Sequence, residues 1–291
     1  MPADLHPPDT LLTRQISALG VWELVTRPPH PGLQPYATEY MGYVETAAAG
    51  AIRRREVPWP GVVLIVNFGP AFRIGDPRTA APADYHSFVA GLYDSYVVAE
   101  STGPSHCIQI NLTPIGAYLL LGVPMDEIAN RTVDLDDLLG ASARRLSERL
   151  QEAPTWNDRF SLVDGFIRDR VARARGAAPQ IMWAWRRLQH PDGAPRIGAI
   201  AEEVGWSSKR LIAGFREQIG LPPKALARII RFDRVVRWLD DLKEVRWAEL
   251  AHRAGYFDQA HFNRDFRELA GSPPGDFLQR RLAGEGGVLE D

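Results

Sequence analysis

At 291 residues, the chain exceeds the ~100–200 residues usual for one domain, so two domains are expected. Its formal net charge of −2 says little until divided by position. The single cysteine, Cys107, excludes an internal disulfide and a cysteine-rich metal cluster, and fits a reducing compartment. The N-terminus "MPADLHPPDTLLTRQ" lacks a basic region followed by an apolar run, and no stretch approaches the ~18 apolar residues of a membrane span. The cytoplasm is therefore expected, and no membrane partner.

From residue 1 to about 35 the chain is rich in proline, and "RPPHPGLQP" reads as part of an extended entry segment. The runs "YMGYVET", "GVVLIVNFG", "YDSYVVAES" and "HCIQINL" follow. They hold β-branched and aromatic residues between Gly, Pro and Asp turn signals, and predict strands of a compact β-sandwich or barrel. From Thr113 onward the apolar period lengthens. Leu135, Leu138 and Leu139, then Phe160, Val163, Ile167 and Val171, recur at steps of three and four and predict amphipathic helices. "RARGAAPQ" and "QHPDGAPR" flank a further helical run carrying Trp183 and Trp185, which places a domain boundary between Ala174 and Ala194. The expected divisions are an extended segment (1–35), a β-rich regulatory or dimerising domain with C-terminal helices (36–175), an all-helical domain (181–281) and a tail (282–291).

The all-helical part contains one motif written twice. Ala201 and Ala251, and Gly205 and Gly255, match at an offset of fifty; Phe215 and Phe266, Gly220 and Gly271, and Pro222-Pro223 and Pro273-Pro274 match at fifty-one. One residue has been inserted near the turn. Each copy predicts a short helix ending at a glycine that takes the left-handed conformation cheaply, then a second helix capped by Ser207 or Ser208, or by Asp258. Leu211, Phe215 and Ile219 in one copy, and Phe262, Phe266 and Leu269 in the other, form the core stripe. Opposite lie Lys209, Ile212, Ala213 and Arg216, then Ala260, Asn263, Arg264 and Arg267. Asn, Arg and Lys bond base edges and phosphates, and a helix fits the major groove. From Arg196 to Arg281 there are 16 Lys and Arg against 12 Asp and Glu, so the charge is segregated, as suits a polyanion partner for this segment alone. A connecting helix of about nineteen residues from Pro223 to Asp241 would span ~28 Å, close to the ~34 Å of one DNA turn. Its apolar residues Leu226, Ile229, Phe232, Val236 and Leu239 would pack under both units. Arg228, Arg231, Arg234 and Arg237, with Asp233 and Asp240 among them, read as a salt-bridged outer face.

The segment from Ile181 to Arg281, above all "ELAHRAGYFDQAHFNRDFRELAGSPPGDF", resembles the C-terminal domain of AraC/XylS-type transcription regulators in its glycine-aromatic turn, Phe-x-Arg-x-Phe core and terminal Gly-Ser-Pro. The resemblance implies DNA-facing positions at Ser208, Lys209, Ile212, Ala213 and Arg216, then Gln259, His261, Asn263, Arg264 and Arg267, with double-stranded DNA as partner. Family members often carry Arg where this chain has Ala213, so the first copy is expected to specify less sequence than the second. Gly214, mid-helix, costs about 1 kcal/mol relative to Ala. Residues 33 to 150 resemble the cupin-like β-domains that precede this unit in some family members, which implies sensing or dimerising and leaves a small-molecule effector and a homodimer open. The fold class expected is α+β, a β-rich cupin-like N-terminal domain with helices followed by an all-α double helix-turn-helix domain.

His30, His86 and His106 are isolated, without the His-x-His spacing that sets two imidazoles on one strand face, so no metal and no cofactor are expected. Cys107 stands in the apolar strand run "SHCIQI", where burial leaves a thiol inert. Arg53, Arg54 and Arg55 read as a solvated strand edge, and Trp59 as packing between turn prolines. No phosphate loop, dinucleotide fingerprint, Gly-x-Ser-x-Gly or His-Glu-x-x-His is present. The expectation is a sequence-specific DNA-binding regulator without catalytic residues. The alternatives are a DNA-anchored enzyme, by sacrificial-cysteine alkyl transfer or a β-domain catalyst, and a purely dimerising N-terminal half.

Overall fold

Alternation along the central strands sends apolar side chains to two different cores. In the computed structural model, which describes residues 10–17, 20–47, 52–79, 81–101, 104–190, 196–239, 242, 245–281 and 287–290, Val62, Leu64 and Val66 lie on one face of a strand and Ile65 on the other, all buried. The strands are β1 (Leu11–Ser17), β2 (Gly20–Arg27), β3 (Ala37–Ala47), β4 (Ile52–Glu56), β5 (Val62–Asn67), β6 (Phe72–Gly75), β7 (Ala83–Tyr85), β8 (Phe88–Ala90), β9 (Val97–Ser101), β10 (Ser105–Leu112), β11 (Thr132–Asp134) and β12 (Gly287–Leu289). They form two sheets, in the orders β1-β2-β3-β10-β5-β8-β11 and β12-β4-β9-β6-β7. The sheets meet across Ile65, Ile74, Phe88 and Cys107.

The other face of the larger sheet is covered by helices. These are α1 (Pro114–Leu121), α2 (Leu135–Leu139), α3 (Ala141–Glu152) and α4 (Trp156–Arg173), and Ile108, Ile110 and Leu112 of β10 share a core with Phe160, Val163 and Ile167 of α4. The chain continues through α5 (Pro179–Gln189), α6 (Ile197–Glu203), α7 (Ser208–Ile219), α8 (Pro223–Trp238), α9 (Trp247–Arg253), α10 (Gln259–Ala270) and α11 (Pro274–Arg280). This is the α+β arrangement expected, a β-rich half followed by a helical half. The predicted strand runs fall in β3, β5, β9 and β10, and the predicted helices in α2, α3 and α4. The core containing Ile108 also contains Ile181, Phe215 and Phe266, so the two halves share buried apolar surface.

Several expectations need correction. Within the segment read as an extended entry, β1 and β2 pair as an antiparallel hairpin, and β2 continues onto β3. Thr13, Glu23 and Thr26 are interspersed there with Leu12, Trp22, Leu24 and Val25, a strand signal that the flanking prolines masked. The segment read as a tail carries β12, which pairs antiparallel with β4. Strand β4 lies between β12 and β9, so Arg53, Arg54 and Arg55 do not form a solvated edge. Arg53 faces Glu100 at 3.6 Å, Arg54 reaches buried Glu45 at 3.3 Å, and Arg55 grips Glu290 at 2.6 Å. Three arginines in sequence are thus paired by three carboxylates, one from the preceding strand β3 and two from far along the chain.

Candidate nucleic-acid interface

Each copy of the repeat folds as helix, glycine turn, helix. Gly205 and Gly255 end the first helices with φ of 69° and 86°, where a residue with a Cβ would be strained. The second helices are capped as the sequence requires: Ser207 accepts from the Arg210 amide at 3.2 Å and Asp258 from the His261 amide at 2.7 Å. Leu211, Phe215, Ile219, Phe262, Phe266 and Leu269 are all fully buried. Around Phe266 stand Phe232, Phe262 and Phe277, with ring centroids at 5.0, 5.5 and 5.2 Å. The Phe-x-x-x-Phe spacing of α10 therefore becomes an aromatic cluster against α8 and α11.

The faces turned away from that core hold the residues singled out in the sequence. Ser208, Lys209, Ala213 and Arg216 of α7 are exposed and Ile212 is half-buried; Gln259, Arg264 and Arg267 of α10 are exposed and Asn263 is half-buried. His261 is also half-buried, with its ring edge-on to Tyr256 and Nε2 3.9 Å from Asp265, so it leans toward the flank of α10. Connecting helix α8 has 16 residues, ~24 Å at ~1.5 Å per residue. It is shorter than the sequence suggested because it ends at Trp238; Asp240 and Asp241 lie outside the described residues. Its apolar residues Leu226, Ile229, Phe232, Val236 and Leu239 are buried as expected.

The arginines of α8 are engaged, though only one within its own helix. Arg237 pairs with Asp233 at 2.9 Å, whereas Arg228 bonds Asp265 at 3.0 Å and also Glu268. Arg231 lies 3.9 Å from Asp265, and Arg234 donates to the carbonyls of Gln189 and His190, each at 2.9 Å. Asp265 is buried and gathers Arg228, Arg231 and His261, which fixes the rotation of α10 about its axis. Sequence reading missed Asp265. A carboxylate on the core side between Phe262 and Phe266 was the available signal.

Both second helices are rooted at their C-termini against the β-rich half, leaving their N-terminal ends free. The Arg55 guanidinium donates to the last carbonyl of α10, Ala270, at 2.9 Å and lies over Tyr96, 4.7 Å from its centroid. Such a cation at a helix C-terminus also complements the helix dipole. Gly271 follows with φ 74°, and a Cβ there would meet the Tyr96 ring at 2.5 Å. At the end of α7, Gly220 lies against Met125 of the β-rich half, whose carbonyl a Cβ there would meet at 3.1 Å, and Gln218 accepts from the Ala178 amide ahead of α5 at 2.8 Å. Gly214, expected only to weaken α7, has a packing reason: a Cβ there would lie 2.8 Å from Ile181 and 3.2 Å from Trp206, so its absence lets α5 come close.

The remaining candidates sit apart from this interface. Cys107 lies between the sheets, and burial pushes its thiol up to about 12, as its apolar run suggested. His30 accepts from the Gly32 amide at 3.2 Å in a turn, and His86 is exposed. His106 packs edge-on to Phe68 and Trp156 and bonds Arg159 at 3.1 Å; burial, then the Arg159 charge, holds its pKa below the usual histidine value. Trp59 covers Gly61, where a Cβ would meet the indole at 2.1 Å. No helix among the described residues is long and apolar enough to cross a membrane.

Residues 200–280 match the family described as "Helix-turn-helix domain", and residues 25–134 match "Domain of unknown function (DUF6597)". Among curated proteins no sequence matches the chain. It is similar to the solved structure of ToxT from Vibrio cholerae with unsaturated fatty acid bound, at 11% identity over 91% of this chain and 100% of that one, TM-score 0.48. It is also similar to the C-terminal domain of AraT, a response regulator from Geobacillus stearothermophilus, at 22% identity over 38% of this chain and 91% of that one, TM-score 0.34. For the AraC-like transcriptional activator CuxR the figures are 17%, 79%, 86% and 0.32. The family match covers both glycine turns and both capped second helices, and so defines a helix-turn-helix DNA-binding protein. Residues 200–280 are thus a helix-turn-helix domain of the AraC type, and the chain that carries it is a DNA-binding transcription regulator.

Proposed function

We propose that the two second helices, α7 and α10, enter successive major-groove segments on one face of double-stranded DNA. In this reading Ser208, Lys209, Ile212, Ala213 and Arg216 meet the first segment, and Gln259, His261, Asn263, Arg264 and Arg267 the second. The observation that carries it is the pair of exposed polar faces on helices whose opposite faces are fully buried. Lys and Arg displace counterions at phosphates, while Asn263 and Arg264 suit adenine and guanine edges. Ile212 and Ala213 offer only apolar contact, so the second unit reads more sequence than the first. We place the division of the chain between Ala174 and Ala194. A small-molecule effector or a second copy would add control to a reader already complete in one chain.

Selection of duplexes from a random library tests this reading. The full chain is expected to enrich a motif of two blocks centred about one helical turn apart. Arg264→Ala should lose information in one block and bind the selected duplex roughly tenfold or more weakly, because a bidentate contact is worth ~1–3 kcal/mol. Equal losses on selected and scrambled duplexes would make Arg264 a phosphate contact, and failure to enrich any motif at moderate salt would refute the two-helix reader.

The β-rich half acts on this reader, in our reading, through the root of α10. Arg55 ties the Ala270 carbonyl of α10 to Glu290 beside β12, so any change at β4 reaches the helix end directly. Arg55→Ala is expected to speed amide exchange in β12 and at Gly271 and to change affinity for the selected duplex. Faster exchange with unaltered affinity would confine the contact to stability.

A further inference from the structure

The two copies differ in length by one residue, and the structure identifies which. Gly205 and Gly255, and then Trp206 and Tyr256, correspond at an offset of fifty, whereas the capping residues Ser207 and Asp258 correspond at fifty-one. The extra residue is Phe257. It stands between the turn and the cap of α10, and it is 90% exposed.

The fold does not need a phenyl ring there. An apolar residue just before a helix cap ordinarily packs on the fourth residue of the first turn, here Phe262. That place is taken by Tyr256, which is buried and meets Phe262 edge-on at 5.2 Å. The turn is supplied by Gly255 and the cap by Asp258. A polar residue at 257 would serve the chain equally well, yet the most exposed large apolar side chain among the described residues stands directly before the cap Asp258, two residues ahead of Gln259.

Position decides what the ring meets. Residues at the N-terminal end of a recognition helix reach base edges, and the apolar group on the major-groove edge is the thymine C5-methyl. We propose that Phe257 packs on one thymine methyl and makes the second unit select thymine at that position. The proposal rests on the DNA-reading assignment of α10 above and adds a contact that the first copy, one residue shorter, does not make.

The test uses the full chain and its selected duplex, with each thymine replaced in turn by deoxyuridine, which keeps the base pair and removes only the methyl. Wild type is expected to lose about fourfold at one position, the equivalent of one buried methyl-sized group, within the block that depends on Arg264. Phe257→Ala should weaken the thymine duplex by the same factor and bind thymine and uracil duplexes equally there. Because the ring is exposed, the variant should fold as wild type does. An unaltered thymine-to-uracil ratio in Phe257→Ala, or no sensitive thymine in wild type, overturns the proposal while Arg264→Ala still weakens binding. If no motif is enriched, the assignment of α10 fails and the Phe257 contact fails with it.

Discussion

Phe266→Ala is expected to lower the free energy of unfolding by about 3–5 kcal/mol, the range for emptying a fully buried phenylalanine site. The ring has no exposed surface and touches Phe232, Phe262 and Phe277, so its loss opens a cavity lined by three other rings that cannot all close on it. Those rings belong to α8, α10 and α11, and their mutual placement sets the direction in which α10 points. Urea titration of wild type and variant measures the effect, with Phe266→Leu as a smaller truncation expected to cost less. Arg264→Ala serves as the contrasting case. Its side chain is exposed, so its stability should stay within about 0.5 kcal/mol of wild type while its affinity for the selected duplex falls. A loss below about 1 kcal/mol in Phe266→Ala would mean that the aromatic cluster does not hold α10.

The reader was legible in the sequence because its determinants are local. A left-handed glycine, a capping oxygen and apolar residues at steps of three and four are all fixed by a dozen neighbouring residues, and Gly255, Asp258, Phe262 and Phe266 meet those requirements in order. The inserted residue was legible as a count, but its exposure was not, because whether Tyr256 or Phe257 turns inward depends on Trp247 and Phe262 across the unit. What joins the two halves was not legible at all. Arg55 reaches Ala270 and Glu290 across more than two hundred residues, and β12 is three residues long, too short to show any period. The hairpin of β1 and β2 was hidden by its own flanks, since "RPPHPGLQP" begins within the last residue of β2.

These long-range ties change how the candidate interface should be viewed. Read alone, the repeat is a self-sufficient pair of helices on a connecting helix. In the folded chain, the base of α10 carries a guanidinium from β4, and Asp265 carries two more from α8. The exposed face of α10 is thus oriented from behind by charge as well as by its aromatic core. Substitutions at Asp265 or Arg55 would therefore disturb reading without touching DNA, and loss of binding in such variants identifies positioning residues rather than contacts.

The same distinction applies deeper in the β-rich half, where Asp164→Ala is expected to cost about 3–5 kcal/mol, the usual result of leaving one member of a buried ion pair without its partner. Asp164 of α4 pairs with Arg27 of β2, whose side chain is 1% exposed, and the guanidinium also donates to Asn157 at 3.0 Å and Ser161 at 3.3 Å. The rings of Tyr40 and Phe160 lie 5.8 and 5.5 Å from it. The carboxylate accepts from the Tyr40 hydroxyl at 2.9 Å and the His30 amide at 3.1 Å as well; burial, then the negative charge of Asp164, raises the Tyr40 pKa. Removing the carboxylate strips three donors of their acceptor and leaves a full charge inside the protein. Asp164→Asn, which keeps one acceptor oxygen, should lie between alanine and wild type. The double variant Arg27→Met, Asp164→Leu should recover most of the loss, because an apolar pair of similar volume carries no desolvated charge. Denaturant midpoints of the four proteins decide the matter. A loss under about 1 kcal/mol in Asp164→Ala would put the pair in the class of solvent-screened surface bridges, and a double variant no better than Asp164→Ala would show that shape at this joint, rather than charge, holds α4 to the sheet.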